Sequence, residues 1–158
     1  SRPDLKLLIV GADPKPEVLA LGQLAGVTVT GSVPDVRPHV RRSVLNVAPL
    51  AIARGTQNKI LEAMAMGVPV VTTRLAAGGV DAEEGQHLLV ADTPEETAEA
   101  ILRLVEDPIE RGRLALAGRE RMLSHHAWPR SMQRLDALIA ACRSQFGQRS
   151  NTPVENPI

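Results

Sequence analysis

The feature that most limits the fold of this chain is an alternation of short apolar runs with helix-type segments along residues 5–90. Residues 5–10 form the first run, closed by Gly11. Residues 27–30 form the second, ended by Gly31, and residues 43–48 the third, stopped by Pro49. Residues 68–72 and 87–90 supply two more. Between them, residues 16–24, 34–42 and 58–66 read as helices, the last ended by Gly67. Continuous apolar strands separated by helices are buried on both faces, which is the pattern of a parallel sheet. The expected class is therefore α/β, a Rossmann-like parallel sheet with helices on both faces, followed by C-terminal helices.

Those helices are marked by their punctuation. Thr93-Pro94-Glu95-Glu96 supplies an N-cap, a proline in the first helical position and a glutamate at the third. Ala98, Ile101, Leu102 and Val105 then recur at the spacing of one buried stripe. Asp107-Pro108-Ile109-Glu110 repeats the capping chemistry for a helix running to about Ser124. Along a third helix, Trp128, Met132, Leu135, Ile139, Cys142 and Phe146 alternate steps of four and three, so that Cys142 reads as a small core residue. Residues 1–146 form one domain in this reading, and residues 147–158 a polar, loose tail.

Composition removes several functions. The chain has 158 residues, 18 basic and 18 acidic, enough for one domain with a core. Balanced charge gives no electrostatic footprint for nucleic acid, and one Trp, one Phe and no Tyr leave no stacking platform for single strands. Apolar runs stop at about six residues, far short of a membrane span. The lone Cys142 excludes an internal disulfide and a Cys-based zinc site, which fits a reducing cytoplasm.

Ligands of parallel α/β sheets bind beyond the C-terminal ends of strands, where helix N-termini point. The richest such connection is residues 50–62, between the third strand and the helix at Asn58. Gly55 lets backbone approach a ligand, and Asn58 or Thr56 can start the helix. Its first amides, with Lys59 in the first turn, suit an anion such as a diphosphate. Asn58, Lys59 and Glu62 share one helix face, with Leu61, Met64 and Ala65 expected on the core side. A cation and a carboxylate one turn apart can grip phosphate and a diol together; a plain surface Lys–Glu pair is the equally weighted alternative. Gly11-Ala12-Asp13-Pro14 lacks the further glycines of a dinucleotide fingerprint and reads as a turn. The loops 77–81 and 83–85 either cradle ligand or turn the chain. His125 and His126 read as helix-end residues and not metal ligands, and Arg37, Arg41 and Arg42 as a solvated helix face.

Residues 59–71, Lys-Ile-Leu-Glu-Ala-Met-Ala-Met-Gly-Val-Pro-Val-Val, carry a family resemblance. The stretch resembles the C-terminal, donor-binding lobe of family 4 (group 1) glycosyltransferases of the GT-B fold. Leu7 to Gly11, Val29-Thr30-Gly31-Ser32-Val33-Pro34-Asp35, Gly78-Gly79, residues 85–90 and the helix ending at Asp107-Pro108 resemble further parts of that lobe, in order. The segment 53–59 resembles exopolysaccharide-associated sugar transferases. The resemblance implies a bilobal transferase that moves a sugar from a UDP-, GDP- or ADP-linked donor to an acceptor, with retention at the anomeric carbon. Its donor substrate is a nucleotide-diphosphate sugar, with no cofactor and no obligatory metal.

By the same resemblance, Glu62 matches the second of the family's paired glutamates, which binds the ribose hydroxyls. Asn58 and Lys59 match positions whose amides meet the diphosphate, and Val33 falls where backbone borders the base. The first glutamate of the pair falls at Arg54, which cannot accept hydrogen bonds from sugar hydroxyls but can bind phosphate. Sugar contacts would then be rebuilt around Gly55, Thr56 and Gln57, with Lys59 and Arg54 stabilising the departing diphosphate. The family's opening strand and its Arg/Lys pair are not represented, nor is the N-terminal acceptor lobe. The chain thus reads as a piece of a larger cytoplasmic enzyme, inactive by itself, whose exposed lobe surface favours self-association and whose other lobe would supply any membrane association. Two alternatives stand beside this reading: a non-catalytic scaffold descended from a glycosyltransferase, and a GT-B nucleotide-sugar epimerase.

Overall fold

Parallel pairing organises the chain, but in two sheets instead of the single sheet expected. The computed structural model describes residues 2–126 and 128–149. A two-stranded sheet joins β1 (Leu7–Ile9) to β2 (Val27–Val29), with Leu7 opposite Val27 and Ile9 opposite Val29. A three-stranded sheet has the order β3 (Asn46–Ala48), β4 (Val70–Thr72), β5 (Leu89–Val90). Asn46 pairs with Val70 and Val71 with Leu89. Helices α1 (Pro16–Leu21), α2 (Arg37–Arg41) and α3 (Asn58–Ala65) connect successive strands, as parallel pairing requires. A short α4 (Arg74–Ala77), not anticipated from the sequence, follows β4, its N-cap Thr73 accepting from the Ala76 amide.

The core belongs to the three-stranded sheet. Adjacent residues of a strand face opposite sides, and β4 uses both. Val70 packs with Ala48, Ile60, Met64 and Leu88 on the α3 side. Val71 packs with Leu89, Leu104 and Leu114 on the other, under α5 (Pro94–Glu106). Helix α6 (Pro108–His125) serves both clusters, giving Leu114 to one and Met122 to the other. Its Gly118 sits between them; a Cβ there would lie 2.9 Å from the His87 carbonyl oxygen and 3.4 Å from Met64 Cε. The missing side chain thus permits the close approach of α6 to α3.

Four expectations are corrected. The first strand is not buried: Leu7 is 50% and Leu8 39% exposed, because β1 has one neighbouring strand and α1 packs mainly on β2. The buried stripe of α5 keeps half of the expected residues: Leu104 is buried and Thr97, Ala100, Ile101 and Val105 are half-buried, while Ala98 and Leu102 are exposed. Along α7 (Trp128–Arg149), Met132, Leu135, Ile139 and Cys142 are exposed, so the seam has no partner among the described residues and Cys142 is not a core residue. The side-chain environments of Trp128 and Phe146 lie outside the described residues. Finally, α7 continues through Arg149, so residues 147–149 of the expected tail are helical; 150–158 lie outside the described residues.

Loop 81–87 is strapped to α6 by arginines. Arg121 donates to the Asp81 carbonyl at 2.9 Å and its carboxylate at 2.6 Å, and Arg113 donates to the Gly85 carbonyl at 2.7 Å. Glu84 pairs with Arg74 at 3.1 Å. With these contacts residues 83–85 serve to turn the chain, Gly85 taking φ 75°.

Candidate functional site

Helix α3 places the candidate residues. Ile60, Ala63 and Met64 are buried in the core, which turns Asn58, Lys59, Glu62 and Ala65 outward. Ala65 therefore lies on the Glu62 face and not on the core side, where Ile60 and Ala63 take its expected place; Leu61 is half-buried. Lys59 and Glu62 are three residues apart and both exposed, yet no ion pair or hydrogen bond joins their side chains. The plain surface-pair alternative is thus not what the structure contains.

The N-cap of α3 is Gln57, not Asn58 or Thr56, and no side chain caps the helix. Gln57 is only 9% exposed. Its Nε2 donates to the carbonyls of Arg54 at 3.2 Å and Gly55 at 3.0 Å, closing the loop on itself. Its Nε2 is therefore occupied in shaping the loop. The Gln57 carbonyl accepts from Ile60 at 2.9 Å and Leu61 at 3.2 Å. That leaves the amides of Asn58 and Lys59 without an acceptor among the described residues, as the first turn of a helix dictates.

Gly55 and Gly79 hold this loop against its neighbour. Gly55 has φ 64°, a left-handed conformation that favours glycine. A Cβ at Gly79 would collide with the Gly55 carbonyl oxygen, so the 78–80 segment supports loop 54–57 from beneath. Thr73 ties the same loop to β4 by donating to the Leu50 carbonyl at 2.9 Å. Arg54, Gly55 and Thr56 are exposed on its outer side.

Glu62 opens onto a cleft of about 550 Å³, lined from the other side by Val33, Pro34, Asp35, Val36 and Arg37. The fold thus brings Val33 and Glu62 together across 29 positions of sequence (62 minus 33). It does not bring Arg54, Gly55, Thr56, Gln57, Asn58 or Lys59 into the walls of that cleft, and they stand at the head of α3. Two charged wall residues, Asp35 and Arg37, were not singled out from the sequence as ligand contacts. Arg37, read as part of a solvated face, is bound through Nε to both oxygens of Asp35 at 2.9 and 3.1 Å. The same carboxylate accepts the Arg37 backbone amide at 2.9 Å. These bonds hold the Asp35 carboxyl below the usual carboxylate range. The signal available beforehand was the Asp-x-Arg spacing directly after Val33-Pro34, where an Asp opens a turn and fixes the next cation.

A second depression of about 460 Å³ lies between Pro49 and the start of α5. Its polar groups are engaged: Asp92 accepts the Arg74 amide at 2.8 Å, and Thr93 belongs to the capping box of α5. Among the described residues, no group of three or more His, Cys, Asp and Glu is placed to hold a metal ion. No helix there is long and apolar enough to cross a membrane.

Parallel strands covered by helices on both faces, with the polar face of α3 beside a cleft, define a Rossmann-like α/β fold. Residues 1–107 match the family described as Glycosyl transferases group 1, and the chain belongs to that family. Its fold is similar to that of HepE from Anabaena, solved in complex with UDP, at a TM-score of 0.77 and 17% identity. That match covers 88% of this chain and 42% of HepE. Sucrose-phosphate synthase from Thermosynechococcus elongatus matches at a TM-score of 0.72 and 24% identity, over 87% of this chain and 39% of the synthase. The C-terminal domain of a group 1 family glycosyl transferase, LpcC, from Francisella tularensis matches at 0.59 and 19%, over 71% and 60%. The chain thus spans about two-fifths of the length of the first two.

Proposed function

We propose that this chain is the donor-binding lobe of a glycosyltransferase that moves a sugar from a nucleotide-diphosphate sugar to an acceptor. The observation that carries the reading is the outward face of α3. Lys59 and Glu62 stand one turn apart, beside two backbone amides without acceptors among the described residues, and Glu62 lines a cleft that also contains Val33. A lone cation and free amides suit the diphosphate, because their charge and dipoles oppose its negative charge. The Glu62 carboxylate has lone pairs for both hydroxyls of a ribose. HepE, whose fold this chain shares, is described in complexes with UDP and with UDP-glucose.

In this reading the catalytic contribution of the lobe is electrostatic. As the sugar leaves, negative charge grows on the diphosphate, and fixed donors stabilise it without reorganising. Lys59 supplies one charge from the first turn of α3. Arg54, exposed at the loop head, supplies a second. Acceptor binding, retention at the anomeric carbon and a place in polysaccharide synthesis belong to the whole enzyme in this proposal, and the lobe alone binds donor without turning it over.

Calorimetry with UDP, GDP and ADP tests the reading. At least one nucleotide binds the wild-type chain, and Glu62→Gln weakens it about tenfold, since a carboxylate acceptor contributes more than an amide. Absence of heat with all three nucleotides, for a chain whose circular dichroism is that of a folded α/β protein, rejects donor binding.

A further inference from the structure

The cleft wall opposite Glu62 carries a donor and an acceptor side by side. From the geometry of this pair we infer that Asp35 and Arg37 read the base of the bound nucleotide and select guanine. The inference rests on the nucleotide-binding reading above and adds to it a specificity that reading leaves open.

Both residues line the cleft, together with Val33. Their mutual position is fixed. The Asp35 carboxylate receives the backbone amide of Arg37 at 2.9 Å and its Nε at 2.9 and 3.1 Å. One residue's main chain and side chain thus anchor to the other, so the pair is presented as a unit. The arrangement uses only one of the guanidinium's nitrogens. Nη1 and Nη2, with four N–H donors, have no acceptor among the described residues. On Asp35, Oδ1 takes two of the three contacts and Oδ2 one, which leaves acceptor capacity chiefly on Oδ2. Both side chains remain open to the cleft, at 71% and 40% exposure for Arg37 and Asp35.

A surface with donors next to an acceptor distinguishes the bases by the order of groups on their edges. Guanine presents an acceptor, O6, adjacent to two donors, N1–H and the N2 amino group. Its O6 can accept from the free guanidinium nitrogens while N1–H and N2–H donate to the carboxylate, and every group on that edge finds a partner. Uracil also offers an acceptor beside a donor, but its third group, O2, is an acceptor and would face the carboxylate. Adenine presents an amino donor where guanine has O6, opposite the guanidinium, and has no N1–H for the carboxylate. A mismatch of this kind leaves groups on the base edge unpaired against the protein, and that difference is what discriminates between the bases. The diphosphate and ribose contacts at Lys59 and Glu62 are common to all nucleotides and contribute nothing to the choice.

The test uses the whole chain and three free nucleotides, GDP, UDP and ADP, each titrated by calorimetry at the same ionic strength. GDP is expected to bind about tenfold or more tightly than the other two, the discrimination typical of one well-made bidentate base contact. Asp35→Asn and Arg37→Gln should each bring the GDP affinity down to that of UDP while UDP binding changes little. Arg37→Lys, which keeps the charge but loses the fork, should recover GDP preference only in part. Thermal midpoints of the variants check that the lobe remains folded, and Arg37→Gln, which leaves the Asp35 turn to the Arg37 backbone amide, guards against a fold defect from Asp35→Asn. Equal affinity for the three nucleotides, or a preference for UDP or ADP, overturns the inference while leaving donor binding intact. So does a GDP preference that survives both variants. Failure of all three nucleotides to bind removes the underlying reading as well.

Discussion

A single methyl group separates two fates along α6. Gly112 and Gly118 are both helical, and replacing glycine by alanine in a helix normally stabilises by about 1 kcal/mol. At Gly112 a Cβ meets nothing within 4 Å, so Gly112→Ala should raise the unfolding free energy by up to that amount. At Gly118 the same atom lies 2.9 Å from a backbone carbonyl, that of His87, which cannot swing aside as a side chain can. Overpacking of a core costs about 1–3 kcal/mol, so Gly118→Ala should destabilise by about 1 kcal/mol net, measured by urea unfolding. Equal signs for the two variants would refute the packing argument. His87 adds a pH dependence at the same contact. It is buried, and its Nδ1 accepts the Glu83 amide at 3.0 Å, so the ring is neutral there. Burial first, then the Arg121 charge, hold its pKa below the ordinary imidazole value of about 6.5. The unfolded chain therefore takes up this proton first as pH falls. Stability from His87 is complete above about pH 6.5 and is lost below it, down to the folded pKa. Asp35, Asp81 and Glu110, all lowered by arginine partners, act in a separate and more acidic window. Thermal midpoints should fall between pH 7.5 and 5.5, and His87→Asn, which keeps an acceptor for Glu83, should flatten that slope. An unchanged slope in the variant would assign it elsewhere.

At the scale of elements, legibility followed punctuation. Helices α5 and α6 begin at the positions their caps dictate. Thr93 accepts from Glu96 while the Glu96 side chain accepts from the Thr93 amide, and Asp107 accepts from Ile109 and Glu110. Side chains near in sequence decide these starts, so a sequence pattern suffices to find them. Thr93→Ala should cost about 1 kcal/mol, and Thr93→Ser almost nothing, in the same urea experiment; equal losses would mean that the hydroxyl is not what matters. The choice of buried stripe along α5 was not legible. Beside Ile101 and Val105, Ala98 and Leu102 fit helical spacing as well as Thr97, Ala100 and Leu104 do, and only the position of Val71 and Leu89 beneath the helix favours the latter three. Strand burial failed for a related reason. Leu7, Leu8 and Ile9 carry a buried-strand pattern, but burial depends on what covers the strand, which a local pattern does not contain. The candidate site divides in the same way. Lys59 and Glu62 follow from helical periodicity within α3, whereas Gln57 turns inward because its amide closes a loop, and Arg37 reaches the cleft through a turn set by Asp35.

Across the whole molecule, stability is unevenly distributed, and the cleft lies on the boundary. None of the described residues before Ala48 is buried, whereas residues 48–122 contain both core clusters. Residues 2–44, which precede β3, meet the later part through Val40, packed against a core cluster, and through the Arg2–Glu106 ion pair at 3.1 Å. Regions with few buried apolar contacts open locally at a free energy below that of global unfolding. Amide exchange should therefore show β1 and β2 exchanging together, at least about a hundredfold faster than β4, with β3 to β5 opening only on global unfolding. Uniform protection across both sheets would show instead that the chain opens as one unit. The proposed ligand changes this expectation in a specific way. Val33 to Arg37 belong to the weakly packed part, and Glu62 to Met66 to the well-packed part. A nucleotide bound between them stabilises only forms in which the two parts remain docked, by RT ln(1 + [L]/Kd) for the opening that separates them. At about a hundred times Kd, protection of β1 and β2 should rise close to a hundredfold. β4 should gain as well, because global unfolding also releases the ligand. In Glu62→Gln, whose affinity is lower, the same nucleotide concentration should protect β1 and β2 less, in proportion to the lost affinity. Protection of β4 without protection of β1 and β2 would place the bound nucleotide on the α3 side alone.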